Sequence, residues 1–559
     1  MALLEIKNLN FTYNGSDKKA LEDIHMTVEK GDLILLCGES GCGKTTLLKL
    51  LKRQLRPFGQ ISGEILYNGK NIDDIDERTS VAEIGYVMQN PESQIVTDKV
   101  WHELAFGLES LGTKNDVVRR RVAEVCGFFG IGAWYRKKTC ELSGGQKQLL
   151  SLASVMAMNP SLLILDEPTA QLDPIAASEF LASLRKINEE LGVTVMIAEH
   201  RLDEVFSMAT KVVLMDKAKI FLCETPRGIG ENLAKDEVSQ KLSLGLPAAT
   251  RLFHALGGNG KCPLTVKEGK DFIEKNYKSD ITSLELPSKK QEKKATALEI
   301  RGGYFRYERN TPDILSGLDI SVYDNEIFCI LGSNGAGKTT LLRVLSGLRP
   351  LYKGSYTVYG KKMKPNTAAS HKIAALPQDP QNLFVMSTVY DDLLEVTKFY
   401  SLSKEDGKKA VLETAEKLGI SHLLKSHPYD LSGGEQQKAG LAKILLADPK
   451  IILLDEPTKG LDAYSKKKFA DLLLSLKHDG KTIVIVTHDV EFAAEYADRC
   501  AMFFDGGIVS AAESIEFFSS NSYYTTAAAR IMRPKYQNAV TVEAAAKLCL
   551  QNGKKAENE

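Results

Sequence analysis

Two stretches, GESGCGKTT from Gly38 and GSNGAGKTT from Gly332, set closely spaced glycines before a lysine and two threonines. Glycines let backbone N–H groups close around phosphate oxygens, and a helix starting there adds its positive end. Gly38, Ser40, Gly41, Cys42 and Gly43 form one such cradle, and Gly332, Asn334, Gly335, Ala336 and Gly337 the other. Lys44 and Lys338 would pair the β- and γ-phosphates of a nucleotide. Thr45 and Thr339, next to Thr46 and Thr340, would ligate Mg²⁺. Cys42, inside the first cradle, is expected to favour thiolate beside Lys44 and to be shielded by nucleotide.

A second chemistry follows each loop. Asp166 and Asp455 end apolar runs, LLILD and IILLD, and Glu167 and Glu456 come next. An acid at the carboxyl end of a strand can hold Mg²⁺ through water. The adjacent carboxylate can orient and deprotonate an attacking water. Both pairs precede Pro-Thr and lie 23 residues after the serine of an SGG turn, Ser143 or Ser432.

The elements around these residues must position them. Leu33–Cys37 (LILLC) and IFCIL in the second copy predict buried parallel strands. Leu47, Leu48, Leu50, Leu51 and Leu55 recur at helical spacing after the first loop. The two loop lysines are 294 residues apart, whereas LSGGQKQ/LSGGEQQ and the DEPT blocks are 289 apart. The chain is therefore a duplication, with five extra residues in the first copy between Lys44 and Gln89. LTVKEGKDF from Leu264 is echoed by VTVEAAAKL from Val540, so each copy should carry a C-terminal appendage. The reading is residues 1–240 and 296–520 as two domains, 241–295 as appendage and linker, and 521–559 as a second appendage. The lysine-rich stretch from Leu286 reads as a solvated linker.

Composition narrows the class. With 559 residues, one core is not enough. Lys and Arg number 72, as do Asp and Glu, which argues against a chain built to coat nucleic acid. Nine scattered cysteines without a CxxC pair favour reduced thiols in the cytoplasm. MALLEIKNLNFTY predicts no signal peptide, and no run approaches the length of a membrane span. Any membrane contact would go through a partner.

Glycine loop, LSGGQ/LSGGE and LLDEPT-type blocks, all present twice, resemble the ATP-binding cassette (ABC) ATPases across most of both halves. The resemblance implies an α/β fold: two tandem P-loop NTPase domains, each a RecA-like core with an antiparallel β subdomain and a helical subdomain. It implies ATP and Mg²⁺ as cofactors and two sites shared between the halves. Ser143, Gly144 and Gly145 would face Lys338, and Ser432, Gly433 and Gly434 would face Lys44. Tyr13 and Tyr307, each 25 residues before the first loop glycine, look like the aromatic that stacks on adenine. Gln89 and Gln378 look like the Mg²⁺-sensing glutamine, Asp173 and Asp462 like the aspartates coupling the sites, and His200 and His488 like the γ-phosphate histidine. Glu39 and Gln171 depart from the usual pattern without removing a catalytic group, so both sites should hydrolyse ATP.

No heptad insert separates Gln89 from Ser143, against a chromosome-structural ATPase. A ribosome-acting tandem ATPase is the alternative, though the long basic linker or iron–sulfur cluster typical of such proteins is missing. QNPESQIVTDKVWHELAFGLESLG, EHRLDEV and THDVEFAAEYADR resemble the ATP-binding proteins of energy-coupling factor (ECF) transporters. That resemblance implies a peripheral protein on the cytoplasmic face of the membrane, importing a vitamin or metal ion. Its partners would be a transmembrane coupling protein and a membrane substrate-binding protein. In the first copy Pro91, Glu92, Ser93 and Gln94 match the family's Pro-acid-x-Gln. The second copy has Pro380, Gln381, Asn382 and Leu383, so equivalent docking is not expected. Glu92 is the acid placed to receive a partner arginine.

Fusion of two halves sets an effective concentration of order mM. A chain cut within Lys289–Lys294 should therefore lose ATPase activity on dilution and regain it on mixing. Full per-site activity of a diluted, monomeric first half would contradict shared sites.

Overall fold

A computed structural model describes the chain except residues 1, 234–236, 285–294, 334, 364–371, 400–402 and 555–559, and except the side chain of residue 237. Asn334 and the Lys289–Lys294 stretch lie outside the described residues. Contacts group the rest into two units. One is Met1–Gly269 with Asp462–Tyr464, the other Lys270–Leu461 with Ser465–Glu559. The division falls at Gly269, inside the stretch read from sequence as appendage and linker.

In the first unit, Ala2–Tyr13 is hydrogen-bonded between Lys19–Glu29 and Gly59–Tyr67, with Lys70–Asn71 at the edge of this antiparallel sheet. Alternating burial along Lys19–Glu29 shows why: one face carries Leu21, Ile24, Met26 and Val28 into the core. The second sheet has the order Lys219–Glu224, Lys211–Asp216, Leu33–Gly38, Thr194–Ala198, Leu162–Asp166 and Ile84–Val87. All its pairings are parallel except that of the edge strand Lys219–Glu224. Its inner strands Leu162–Asp166 and Thr194–Ala198 are buried at every residue, because one face packs against helices and the other against the antiparallel sheet and the helix Lys44–Leu50.

The second unit repeats this plan. Its four-stranded antiparallel sheet centres on Thr296–Phe305. Its six-stranded sheet has the order Ile373–Leu376, Ile451–Asp455, Thr482–Thr487, Ile327–Leu331, Arg499–Phe504 and Gly507–Glu513. Three helices pack together in each unit. In the first they are Val100–Ser110, Asn115–Phe128 and Gly144–Ala157, sharing a core of Leu104, Val118, Val122, Trp134 and Leu150. The second has Val389–Phe399, Lys404–Lys417 and Gly433–Leu445. The α/β class with β and helical subdomains is thus present in each unit.

The five additional residues of the first copy fall in a region that includes the helix Glu77–Glu83, capped by Asp76. The echoed C-terminal segments form 11-residue helices, Val266–Asn276 and Val542–Asn552, capped by Thr265 and Thr541. Among the described residues, no helix is long and apolar enough to cross a membrane.

Candidate functional site

Each glycine loop leaves the central strand of its parallel sheet and enters a helix, Lys44–Leu50 or Lys338–Leu345. The residue before each lysine must be glycine. Gly43 and Gly337 have φ of 110° and 107°, and a Cβ on Gly43 would lie 2.6 Å from Ala20 O. Lys44 is buried, and its Nζ donates to Gly38 O at 2.9 Å and Glu39 O at 3.1 Å. Lys338 does the same to Gly332 O and Ser333 O, both at 2.8 Å. The loops are thus held around an ammonium group, and that of Lys338 lies 4.0 Å from Glu456 Oε1. Gly41 and Gly335 sit at the exposed crest with φ near 80° and have open space around them, as backbone that must approach a ligand requires.

Cys42 contradicts the thiolate expectation. Its side chain lies beneath the loop, 5% exposed, among Leu21, Leu47 and Met215. Burial pushes the thiol's pKa up, and the opposing pull of Lys44 does not overcome it. Ala336 fills the matching place in the second copy.

The strand-end acids meet their neighbours closely. Thr45 Oγ1 donates to Asp166 Oδ1 at 2.9 Å, and Tyr86 OH donates to Oδ2 at 3.2 Å. The Thr339 hydroxyl lies beside Asp455 and acts to lower its pKa. Tyr86 is matched by Ala375, and Asp455 Oδ1 is buried with no hydrogen-bond partner among the described residues. Glu167 and Glu456 leave their strands with φ of 47° and 48°, a left-handed conformation that costs a non-glycine residue energy and clusters at functional sites. Each is anchored by its own N–H, to Ala198 O at 3.0 Å or Val486 O at 2.8 Å. Glu167 Oε1 lies 2.8 Å from His200 Nε2, and Gln89 Nε2 donates to Oε2 at 3.0 Å. Glu456 Oε2 lies 2.8 Å from His488 Nδ1. Gln378 is exposed and, among the described residues, makes no hydrogen bond to Glu456.

The electrostatics separate the two acids of each pair. Burial raises Asp166 and Asp455 despite the neighbouring threonine hydroxyls. Burial acts the same way on Glu167 and Glu456, but the hydrogen bond and charge of His200 or His488 outweigh it and the net shift is downward. The glutamates are thus held ionised, the form a proton acceptor needs.

Tyr13 OH pairs with Thr46 Oγ1 at 2.8 Å and Tyr307 OH with Thr340 Oγ1 at 3.2 Å. Each ring is about two-fifths exposed beside its loop, at 39% and 44%, so each offers a face for stacking. Arg343 Nη1 also donates to Tyr307 OH at 3.0 Å.

Ser143 and Ser432 cap the helices Gly144–Ala157 and Gly433–Leu445 with reciprocal bonds from Gln146 and Glu435, as S-x-x-Q/E predicts. Gly144 and Gly433 have open space around them, whereas a Cβ on Gly145 would lie 2.9 Å from Ala176 Cβ. Gly434 meets Leu461. Among the described residues, neither serine–glycine–glycine turn hydrogen-bonds the glycine loop of its own unit. Asp173 caps Pro174–Leu191 through Ala176 N at 2.8 Å, and Asp462 is buried and grouped with the first unit.

Glu92, expected to await a partner, already has one: Lys147 Nζ lies 2.6 Å from its Oε1, while the carboxylate stays 67% exposed. Gln381 and Gln436 make the corresponding contact at 3.3 Å. Gln94 is not a surface contact, because it bonds Met88 N and Tyr86 O. Sequence reasoning missed Tyr86, Glu199 and Arg201. It also missed Glu103 and Asp392, buried acids that accept the paired N–H groups of Val96 and Thr97, or Val385 and Met386. The last two could have been found, since they lie 289 residues apart in the repeat.

Fold and site together define a P-loop ATPase carrying a second, serine–glycine–glycine block in each unit. A family model described as ABC transporter matches residues 21–170 and 315–459. A Bacillus cereus protein provisionally assigned as an ABC transporter ATP-binding protein is 41% identical over 98% of both chains. One from Methanosarcina mazei with the same provisional assignment is 32% identical over 93% of this chain and 90% of its own. The chain belongs to the ABC transporter family and is an ATP-binding ATPase. Among solved structures, cbiO1 of Clostridium perfringens, described as part of the ABC transporter complex cbiONQ, is 33% identical. It matches 45% of this chain and 99% of its own with a TM-score of 0.39.

Cys42 should react slowly with iodoacetamide both with and without Mg-ATP, while exposed Cys140 labels readily. Mass-spectrometric mapping that found Cys42 labelled as fast as Cys140 without nucleotide would contradict its burial.

Proposed function

We propose that the chain is the ATPase subunit of an ECF-type importer for a vitamin or metal ion, attached to the cytoplasmic face of the membrane through a transmembrane coupling protein. A membrane substrate-binding protein would select the cargo. The observation that carries this reading is the surface beyond Gln89. Pro91–Ser93 forms a short turn with Glu92 exposed, and Val96, Trp101 and Phe106 present 64%, 39% and 45% of their area nearby. Exposed apolar side chains beside a charge suit a docking surface for a partner helix. The Pro-acid-x-Gln resemblance points to that partner.

In the reaction, Glu167 and Glu456 accept the proton of the water that attacks the γ-phosphorus, and ADP departs. His200 and His488 hold these carboxylates in place. Lys44 and Lys338 exchange their loop carbonyls for phosphate oxygens. Mg²⁺ suits the oxygen donors present: Thr45, Asp166 and Gln89, or Thr339, Asp455 and Gln378. Asp455 Oδ1, which has no hydrogen-bond partner among the described residues, is an acceptor that would help hold that ion. The ion would neutralise phosphate charge there. By the family resemblance, each site is completed by the serine–glycine–glycine turn of the other half, including Ser143 and Ser432.

Glu167→Gln or Glu456→Gln should leave ATP binding within about two-fold and remove most turnover at that site, since a general base supplies roughly 10²–10⁴-fold. Full activity of the double variant would remove these residues as bases. The tagged chain should copurify with detergent-solubilised membrane proteins. Glu92→Arg, which also sets a cation against Lys147, should weaken that association more than Gln381→Arg. Sedimentation with ribosomes and never with membranes would overturn the importer reading.

A further inference from the structure

We propose that Glu199 and Arg201 are positioning residues that clamp the Thr169–Asp173 segment of the first copy against the strand end bearing His200. This rests on the reading of Glu167 as that site's base. Glu199 follows the strand Thr194–Ala198 and is 2% exposed. Its Oε1 accepts Thr169 N at 2.9 Å and its Oε2 accepts His200 N at 3.2 Å. On the other side of His200, Arg201 Nη1 donates to Leu172 O at 3.1 Å. The segment is therefore gripped at both ends from a single tripeptide, EHR.

The grip closes a ring. Glu167, two residues before Thr169, meets His200 at 2.8 Å, and His200 N returns to Glu199. Asp173, one residue beyond Leu172, caps the next helix. Movement of the segment would carry Glu167 and Asp173 with it, so the clamp fixes both relative to His200. A buried carboxylate is costly to desolvate and is retained where donors meet it. Here the donors are the main-chain N–H groups of Thr169 and His200, which have no other acceptor among the described residues.

The second copy is held differently. Thr487 stands at the Glu199 position and Asp489 at that of Arg201. Thr458, the counterpart of Thr169, is tied by its hydroxyl to Asp489 Oδ2 at 3.4 Å, and Lys466 Nζ reaches the same oxygen at 2.6 Å. There Asp489 Oδ2 is shared between the Thr458 hydroxyl and a lysine whose first-copy counterpart is Ala177. The EHR clamp is a property of the first site.

The test uses the intact chain carrying Glu456→Gln, so that turnover reports the first site. Hydrogen exchange by mass spectrometry follows a peptide covering residues 167–173, with one covering 144–157 as reference. Glu199→Gln should speed exchange in 167–173 about ten-fold or more and leave the reference unchanged. It should lower kcat by roughly ten-fold with KM for ATP within about two-fold, the loss expected for one charge-assisted hydrogen bond. Arg201→Ala should do the same to a smaller extent, and Arg201→Lys, which keeps a donor for Leu172 O, should restore both. If Glu199→Gln does not fold, the Arg201 pair decides alone. Unchanged exchange in 167–173, or a fall in kcat without it, would overturn the clamp. Should Glu167→Gln prove active, the base reading fails, and the exchange measurement still decides whether the clamp exists.

Discussion

Either site depends on one constraint: a glutamate that leaves its strand in a left-handed backbone and meets a histidine from the adjacent strand at 2.8 Å. Parallel register makes the meeting possible. Asp166 pairs with Ala198 and Asp455 with Val486, so the residues just beyond these strand ends emerge side by side. The loop-bearing strands Leu33–Gly38 and Ile327–Leu331 lie on the other flank of the histidine strands. Lysine, aspartate, glutamate and histidine thus converge at the carboxyl ends of three adjacent strands, where open α/β sheets bind ligands. The histidine keeps a buried glutamate ionised, while the neighbouring aspartate is pushed the other way.

Most of this was legible because it is local. Gly43 and Gly337 announce a backbone only glycine adopts easily, and S-x-x-Q/E announces a capped helix start. Duplication added a check, since a residue type repeated at one offset is constrained twice. Failures came where burial and tertiary partners decide. Cys42 has the neighbours of a reactive thiol but sits among aliphatic side chains, and desolvation wins. The pairing of Glu92 with Lys147, 55 residues away, is likewise not marked by anything in its own segment. Tyr86 and Glu199 act through contacts spanning 80 and 30 residues, beyond the reach of any spacing rule.

The copies are alike in their reacting groups and unlike in what surrounds them. Asp166 has hydroxyl donors on both oxygens, whereas Asp455 Oδ1 has no hydrogen-bond partner among the described residues. Gln89 reaches Glu167, but Gln378 makes no such bond among the described residues. An ion pair joins the Pro91–Ser93 turn to the helix Gly144–Ala157 in one copy, and two amides make the matching contact in the other. Tyr307 carries an arginine on its hydroxyl, whereas Lys49 occupies that position of the repeat in the first copy. Duplication conserved the chemistry and let the supports diverge, so the sites are two versions of one machine.

The central claim is that one chain holds two nucleotide sites built by the same rules. Native mass spectrometry of the intact chain with a non-hydrolysable ATP analogue and Mg²⁺ tests it most directly. The account predicts saturation at two analogues per chain. Saturation at one, or binding that Lys44→Ala and Lys338→Ala together leave untouched, would contradict it.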